Sequence, residues 1–312
     1  MSTECPLSPE VFTAKDYRSG LKPIWCPGCG DYGVVTAIYR ALAAIGRPPH
    51  EIAFVSGIGC SSRIPGYTTA YGFNTVHGRA LPIAQGIKMA NPDLLVLVAG
   101  GDGDGFSIGG GHVPHAVRRN LDLTYMVMDN QIYGLTKGQL SPTSTRGRQT
   151  ASSAYGSMED PVNPLLYMLA YGASFVAQGV PADMEGLAKM IEEAIRFPGF
   201  AFVNIQSPCI TYGDAETQLK TQKKRMRKLE DEGHDPANRL RAMDLAQAYS
   251  EILYTGARKS RATWARGRMS TAASRRSLTS VRSTPGARNP LRRRPACIRA
   301  MTPSRNSSST MR

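Results

Sequence analysis

The chain has 312 residues, 41% of them hydrophobic, enough to bury one substantial core or two small ones. No run approaches the ~18 consecutive apolar residues of a membrane span, and the first ten residues lack the basic and apolar regions of a secretion signal, so a cytoplasmic protein is expected. The formal charge of +14 is local: residues 257–312 hold 15 Lys and Arg with no Asp or Glu, leaving 23 basic against 24 acidic residues elsewhere.

Residues 1–20 read as an extended lead-in. Val34, Val35, Ile38, Leu42 and Ile45 stand at helical spacing, with Gly46 as a C-cap. A short buried strand over 52–55 runs into Ser56-Gly57-Ile58-Gly59-Cys60, followed by a long Gly-, Tyr- and Thr-rich loop over 61–76. Residues 77–89 read as a helix. The apolar run 94–99 reads as a buried strand and ends in Gly100-Gly101-Asp102-Gly103-Asp104-Gly105. A helix within 107–120 leads to a strand over 123–128, which ends in Asp129-Asn130-Gln131-Ile132-Tyr133-Gly134. Beyond a polar loop (137–157), helices are expected over 161–171 and 184–195, and strands over 173–176 and 200–206.

This alternation predicts an α/β fold with a doubly wound, mostly parallel sheet flanked by helices, spanning 21–213. Residues 214–255 read as a helical extension of one or two charged amphipathic helices. The tail, 256–312, is rich in Arg, Ser and Thr and too poor in apolar residues to offset its ordering entropy, so disorder is expected. Its abrupt loss of acidic residues also suits a shifted reading frame. A third reading makes it a nucleic-acid-binding arm, which would make the chain a nucleic-acid-associated protein.

Asp102 and Asn130 lie 28 positions apart at the ends of two expected strands, where α/β sheets bind ligands. Both offer hard oxygen ligands, which suit Mg²⁺ bridged to a diphosphate, and the glycines around Asp102 let the backbone approach phosphate closely. Of the six cysteines, Cys26-Pro27-Gly28-Cys29 places two thiols in one tight turn, a spacing open to zinc, an iron–sulfur cluster or a redox disulfide. Cys60 and Cys209 each follow a strand at the same sheet edge. Four converging thiolates fit a [4Fe–4S] cluster or a structural zinc, while Cys209 taken alone reads as a small buried hydrophobe. Cys5 and Cys297 read as bystanders.

The motifs Trp25-Cys26-Pro27-Gly28-Cys29-Gly30-Asp31, Gly57-Ile58-Gly59-Cys60-Ser61, His77-Gly78-Arg79, Gly101-Asp102-Gly103-Asp104, Ile108-Gly109-Gly110-Gly111-His112 and Asp129-Asn130-Gln131-Ile132-Tyr133-Gly134-Leu135-Thr136-Lys137-Gly138-Gln139 stand in this order. Together they resemble the β subunit of 2-oxoacid:ferredoxin oxidoreductases, over about residues 15–253. The resemblance implies Cys26, Cys29, Cys60 and Cys209 as [4Fe–4S] ligands. It implies Asp102, Asn130 and the Ile132 carbonyl as Mg²⁺ ligands, with Ile58, Gly59, Cys60, Ser61, Gly103, Asp104, Gly134 and Leu135 lining thiamine diphosphate.

The resemblance also puts Arg63 where the family has a basic residue able to meet the substrate carboxylate, with Leu135 near the same pocket. The implied reaction is oxidative decarboxylation of a 2-oxo acid with coenzyme A, giving acyl-CoA, CO₂ and reduced ferredoxin. Arg63 favours 2-oxoglutarate, with pyruvate second. His77 and His112 read as proton-transfer assistants or structural hydrogen-bond formers, and Lys137 as a phosphate or substrate contact or a solvated loop residue. Thiamine enzymes need a carboxylate against the aminopyrimidine ring, and no second thiamine-binding domain is evident; the resemblance implies an α subunit that carries it, in a heterodimer or heterotetramer. A non-oxidative thiamine-dependent decarboxylase or synthase with a zinc or empty cysteine site is the alternative enzyme. No membrane partner is expected, and a nucleic-acid partner is disfavoured.

Overall fold

Strands that are apolar on both faces require a sheet covered on both sides, and the computed structural model of the chain has one. It describes residues 11–214, 218–229, 231–247, 253–254 and 256–258. The elements in order are α1 (Asp31–Ile45), β1 (Ile52–Ser56), β2 (Tyr71–Asn74), α2 (Ala80–Ala90), β3 (Leu95–Gly101), α3 (Asp102–Phe106), α4 (Val113–Arg119) and β4 (Leu123–Asp129). They continue with β5 (Ile132–Tyr133), β6 (Gln139–Leu140), α5 (Pro164–Tyr171), β7 (Phe175–Gly179), α6 (Met184–Arg196) and β8 (Phe200–Gln206). The last are α7 (Leu219–Arg225), β9 (Arg227–Lys228), α8 (Arg239–Gln247), β10 (Leu253–Tyr254) and β11 (Gly256–Arg258).

The main sheet has the order β11-β7-β8-β4-β3-β1-β2. The six strands from β7 to β2 pair in parallel, and β11 adds an antiparallel edge. Side chains alternate between two apolar layers. Ile52, Phe54, Leu97, Ala99, Met126, Met128, Val203 and Ile205 face the layer that α1 and α6 cover. Ala53, Val55, Val96, Val98, Tyr125, Val127, Phe200 and Phe202 face the layer under α2, α4, α5 and α8. The doubly wound, mostly parallel sheet expected from the sequence is therefore present.

Local departures have physical causes. The loop expected over 61–76 contains a 3₁₀ segment, Ser61–Tyr67, and the edge strand β2, whose four residues are all exposed. An exposed edge needs no apolar face, so nothing in its composition marked it. The glycine run after β3 is helical as α3, and the helix expected within 107–120 is split into the 3₁₀ segment Ile108–His112 and α4.

The lead-in is not simply extended. It turns at residues 14–17, and Tyr17 is fully buried with its hydroxyl donating to Arg47 O at 2.7 Å. The extension over 214–255 contains the small parallel pair β9–β10 besides two helices, and Ala242 and Ala246 of α8 join the second apolar layer. At the start of the expected disordered tail, β11 is a strand. Residues 259–312, including Cys297, and Cys5 near the amino terminus lie outside the described residues.

From β1 the chain moves outward to β2, whereas from β3 it moves the other way to β4. The carboxyl ends of β1 and β3 thus flank a topological switch point, where open α/β sheets bind ligands.

Phe202 is fully buried and meets Phe106 edge-on at 6.3 Å and Tyr125 at 5.8 Å. Phe202→Ala is expected to lower folding stability by about 3–5 kcal/mol through lost burial and the cavity left behind. Chemical denaturation measures this, and an unshifted midpoint would contradict the assignment of Phe202 to the core.

Candidate functional site

At the switch point, Asp104 ties three segments together. Its Oδ1 accepts hydrogen bonds from Gly78 N at 2.7 Å and Ile58 N at 3.2 Å, and His77 Nδ1 lies 3.2 Å away. A Cβ on Gly57 would sit 1.7 Å from Asp104 Oδ2, so only glycine lets the turn after β1 pass the carboxylate. Gly78, at φ +70°, and Gly109 approach so closely that a Cβ on Gly78 would lie 2.4 Å from Gly109 N. Burial raises the Asp104 pKa, partly offset by these donors. His77 is held between Asp104 and Tyr133: its Nε2 lies 3.5 Å from the Tyr133 hydroxyl, which donates to Gly103 O at 2.8 Å. His77 thus has the structural hydrogen bonds that its sequence context allowed.

Asp102, only 1% exposed, opens α3 at the end of β3. Its Oδ2 accepts from Thr143 Oγ1 at 2.6 Å and its Oδ1 from Asn130 N at a longer 3.4 Å. The equally buried Asp129 ends β4, accepting from Gln131 N at 3.2 Å, Gln206 Nε2 at 3.1 Å and Asn204 Nδ2 at 3.3 Å, with Thr143 Oγ1 3.1 Å from its Oδ1. Burial, and then the charge of Asp129, push the Asp102 pKa up to about 7. A cation between these groups and the next turn would reverse that shift.

The turn after Asp129 closes through Asn130 Oδ1, which accepts from Ile132 N at 3.0 Å, with Gln131 between them in the left-handed region at φ 59°. A strap over residues 141–148 supports it. Ser144 Oγ and Arg148 Nη1 both donate to Gln131 O, at 2.6 and 2.7 Å. The buried Arg148 also donates to Tyr212 O at 2.9 Å and pairs with Asp214 at 3.2 Å, joining this turn to the segment after Cys209.

The cysteine loops converge on the same edge. Cys29 N donates to Cys26 O at 3.0 Å in a turn that uses Gly28 at φ +86°. Gly30 lies flush against the segment after β8: a Cβ there would meet Pro208 Cδ at 2.5 Å. The buried Asp31 carboxylate accepts from Ser207 Oγ at 2.6 Å, and burial raises its pKa to about 6. Trp25 Nε1 donates to Cys60 O at 2.8 Å, holding that loop.

All four thiols are free. Cys26 is exposed, and Cys29, Cys60 and Cys209 are half-buried. Burial, then Asp31, raise the Cys29 pKa, and the same causes lift Cys60 to about 11. Cys29 feels Cys60 and Cys209, and Cys60 feels Cys209 and Cys26, so the four thiols share one electrostatic neighbourhood. Among the described residues, no three Cys, His, Asp or Glu side chains close into a compact metal cage. Gly134 lies between the Asn130 turn and the cysteine loops: the position of a Cβ there lies 3.3 Å from Cys209 Sγ and 3.9 Å from Asn130 Nδ2.

Ser61 is buried, and its Oγ lies 3.4 Å from where a Gly101 Cβ would stand; Gly59, at φ +94°, faces open space. Arg63 is exposed and lowers the Cys60 pKa by its charge, while Leu135 is 51% exposed. Lys137 takes a left-handed conformation at φ 77°. Burial first, then Arg79 and His115, lower the His112 pKa. Sequence reasoning passed over Thr143, Arg148, Asp31 and Ser207 as contacts; a buried Thr or Arg in a polar loop has no local pattern.

Gly57→Ala should displace the Asp104 carboxylate and lower the melting temperature by several degrees, at ~2–4 °C per kcal/mol for a domain of this size. Gly86→Ala, exposed on α2 with nothing within 4 Å, should leave it unchanged or raise it. Equal behaviour of the two variants in a thermal melt would contradict the close approach of Gly57 and Asp104.

Comparison with known proteins places this edge in context. Residues 57–205 match the family "Thiamine pyrophosphate enzyme, C-terminal TPP binding domain". The chain is 42% identical over 221 residues to "2-oxoacid:ferredoxin oxidoreductase 2, subunit beta" of Aeropyrum pernix, covering 71% of this chain and 72% of that one. It is 44% identical over 209 residues to "2-oxoglutarate oxidoreductase subunit KorB" of Mycobacterium tuberculosis, covering 67% of this chain and 56% of that protein. A solved structure of "2-oxoglutarate:ferredoxin oxidoreductase from Magnetococcus marinus with 2-oxoglutarate, coenzyme A and succinyl-CoA bound" is similar with a TM-score of 0.77 at 43% identity, covering 84% of this chain and 92% of that one.

Proposed function

The chain belongs to the β subunits of the 2-oxoacid:ferredoxin oxidoreductases, and on that premise we propose that it holds both cofactors of a 2-oxoglutarate-oxidising enzyme. It is an oxidoreductase subunit carrying a thiamine diphosphate-binding domain, and β-subunit membership implies an α partner. In this reading Asp102, Asn130 and the Ile132 carbonyl hold Mg²⁺, while Cys26, Cys29, Cys60 and Cys209 hold a [4Fe–4S] cluster. Ile58, Gly59, Cys60, Ser61, Gly103, Asp104, Gly134 and Leu135 surround thiamine diphosphate. When bound, thiamine diphosphate supplies an electron sink for decarboxylation and the cluster a one-electron outlet to ferredoxin.

One observation carries the proposal: the Asn130 carboxamide and the Cys209 thiol both flank Gly134, which joins the proposed metal turn to the cysteine loops. The donor chemistry supports it. Asp102 is pushed up to about 7 by burial and Asp129, a shift that a divalent cation would relieve. The thiols of Cys29 and Cys60 are raised by burial and ionise readily only against a metal's charge.

Asp104 acts differently from Asp102. Its carboxylate holds the loops at 57–58 and 77–78 in place, so it borders the cofactor by shaping the pocket. Arg63, exposed beside Cys60, is the proposed partner of a substrate carboxylate. Support for 2-oxoglutarate comes from the KorB relatives, named for that substrate, and from the Magnetococcus structure, whose name includes it. Coenzyme A would accept the acyl group.

Anaerobic co-expression with the α subunit should give a brown complex containing iron rather than zinc. That complex should reduce a viologen dye with 2-oxoglutarate and coenzyme A. Asp102→Ala should abolish retention of thiamine diphosphate while leaving iron content unchanged. Zinc in place of iron, or no turnover with any of a panel of 2-oxo acids, would overturn the proposal. Arg63→Gln should raise KM for 2-oxoglutarate more than KM for pyruvate; equal effects on both acids would remove Arg63 from substrate selection.

A further inference from the structure

Thr143 lies in the strap after β6, fully buried, with its Oγ1 2.6 Å from Asp102 Oδ2, 3.1 Å from Asp129 Oδ1 and 3.2 Å from Ser141 Oγ. A threonine hydroxyl carries one proton and two lone pairs. Facing two carboxylates, it donates to the nearer, Asp102, and Ser141 Oγ can donate to it in turn. Asp102 Oδ2 is thereby committed to the strap, and Oδ1 is left on the side of Asn130, 3.4 Å from its backbone N. The strap itself is anchored: Ser144 Oγ donates to Gln131 O at 2.6 Å and accepts from Ser141 N at 2.8 Å, and Val162 N donates to Pro142 O at 2.7 Å. The hydroxyl is therefore delivered to a defined place.

We infer that Thr143 is a positioning residue for the metal: its hydroxyl sets the rotation of the Asp102 carboxylate and presents Oδ1, beside Asn130, to the Mg²⁺ that carries thiamine diphosphate. The inference rests on the assignment of Asp102 and Asn130 as Mg²⁺ ligands. Groups that orient a ligand by hydrogen bonding are worth about 10–100-fold in metal affinity. Asp129 alone cannot replace Thr143, because a second carboxylate repels Asp102 rather than holding it.

The test uses the complex of this chain with its α subunit, stripped of divalent metal, supplied with excess thiamine diphosphate and titrated with MgCl₂; retained thiamine and iron content are both measured. Thr143→Val keeps the side-chain shape and removes the hydroxyl. It should raise the Mg²⁺ concentration for half-maximal retention about 10–100-fold, with iron content unchanged. Thr143→Ser keeps the hydroxyl and loses the methyl group, and should restore most of the affinity.

Equal Mg²⁺ requirement in Thr143→Val and the unaltered protein would overturn the inference, as would Thr143→Ser binding as poorly as Thr143→Val. Should Thr143→Val not assemble, Thr143→Ala against Thr143→Ser makes the same comparison, since the pair differs only in the hydroxyl. Failure of the unaltered complex to retain thiamine at any Mg²⁺ concentration would instead remove the parent assignment and this inference with it.

Discussion

Burying a carboxylate is costly unless something answers its charge, and this constraint organises the carboxyl edge of the sheet. Asp102 and Asp104 leave the same strand end two residues apart, both almost fully buried. Asp104 is answered within the chain by two backbone N–H groups and a histidine, and so closes the loops after β1 and before α2 around itself. Asp102 faces a second buried carboxylate, with the Ser141 and Thr143 hydroxyls and a long backbone contact for support. One aspartate therefore builds the pocket. The other, crowded by Asp129, is the one for which a metal-bridged diphosphate is proposed.

The same economy of contacts brings the proposed redox centre near. Gly30 permits an approach to Pro208 that any side chain would block, and a Cβ on Gly134 would stand in tight contact with Cys209 Sγ at 3.3 Å. Arg148 spans from the turn at Gln131 to Tyr212 and Asp214. One guanidinium thereby ties the turn at Gln131 to the segment after Cys209. Asp31, buried beside Cys29 and Cys60, opposes ionisation of both thiols. A bound metal's positive charge would outweigh that effect.

Much of this was legible locally. Strands β3, β4 and β8 were marked by apolar runs, and α1 by its spacing and by Gly46, which is left-handed at φ 71° as a C-cap glycine should be. The edge strand β2 was not legible, because its residues are exposed and carry no periodic burial. The break between the 3₁₀ segment and α4 was also hidden, since it depends on Gly109 meeting Gly78 and the Asp104 carbonyl from elsewhere in the chain. Tyr17 gave no local sign that the lead-in would turn inward and bond to Arg47.

The order of residues alone determined the layered α/β architecture, the family and the motifs at the strand ends, because burial period, glycine placement and ligand chemistry are written within a few positions of each other. Tertiary structure decided which carboxylate is held by backbone N–H groups and which is crowded by a second carboxylate, and that Thr143, Ser207 and Arg148 belong to the site. Those outcomes rest on pairs 41, 176 and 64 positions apart. A hydrogen bond is sensitive to a few tenths of an ångström, and only the packed sheet brings such distant groups within that range.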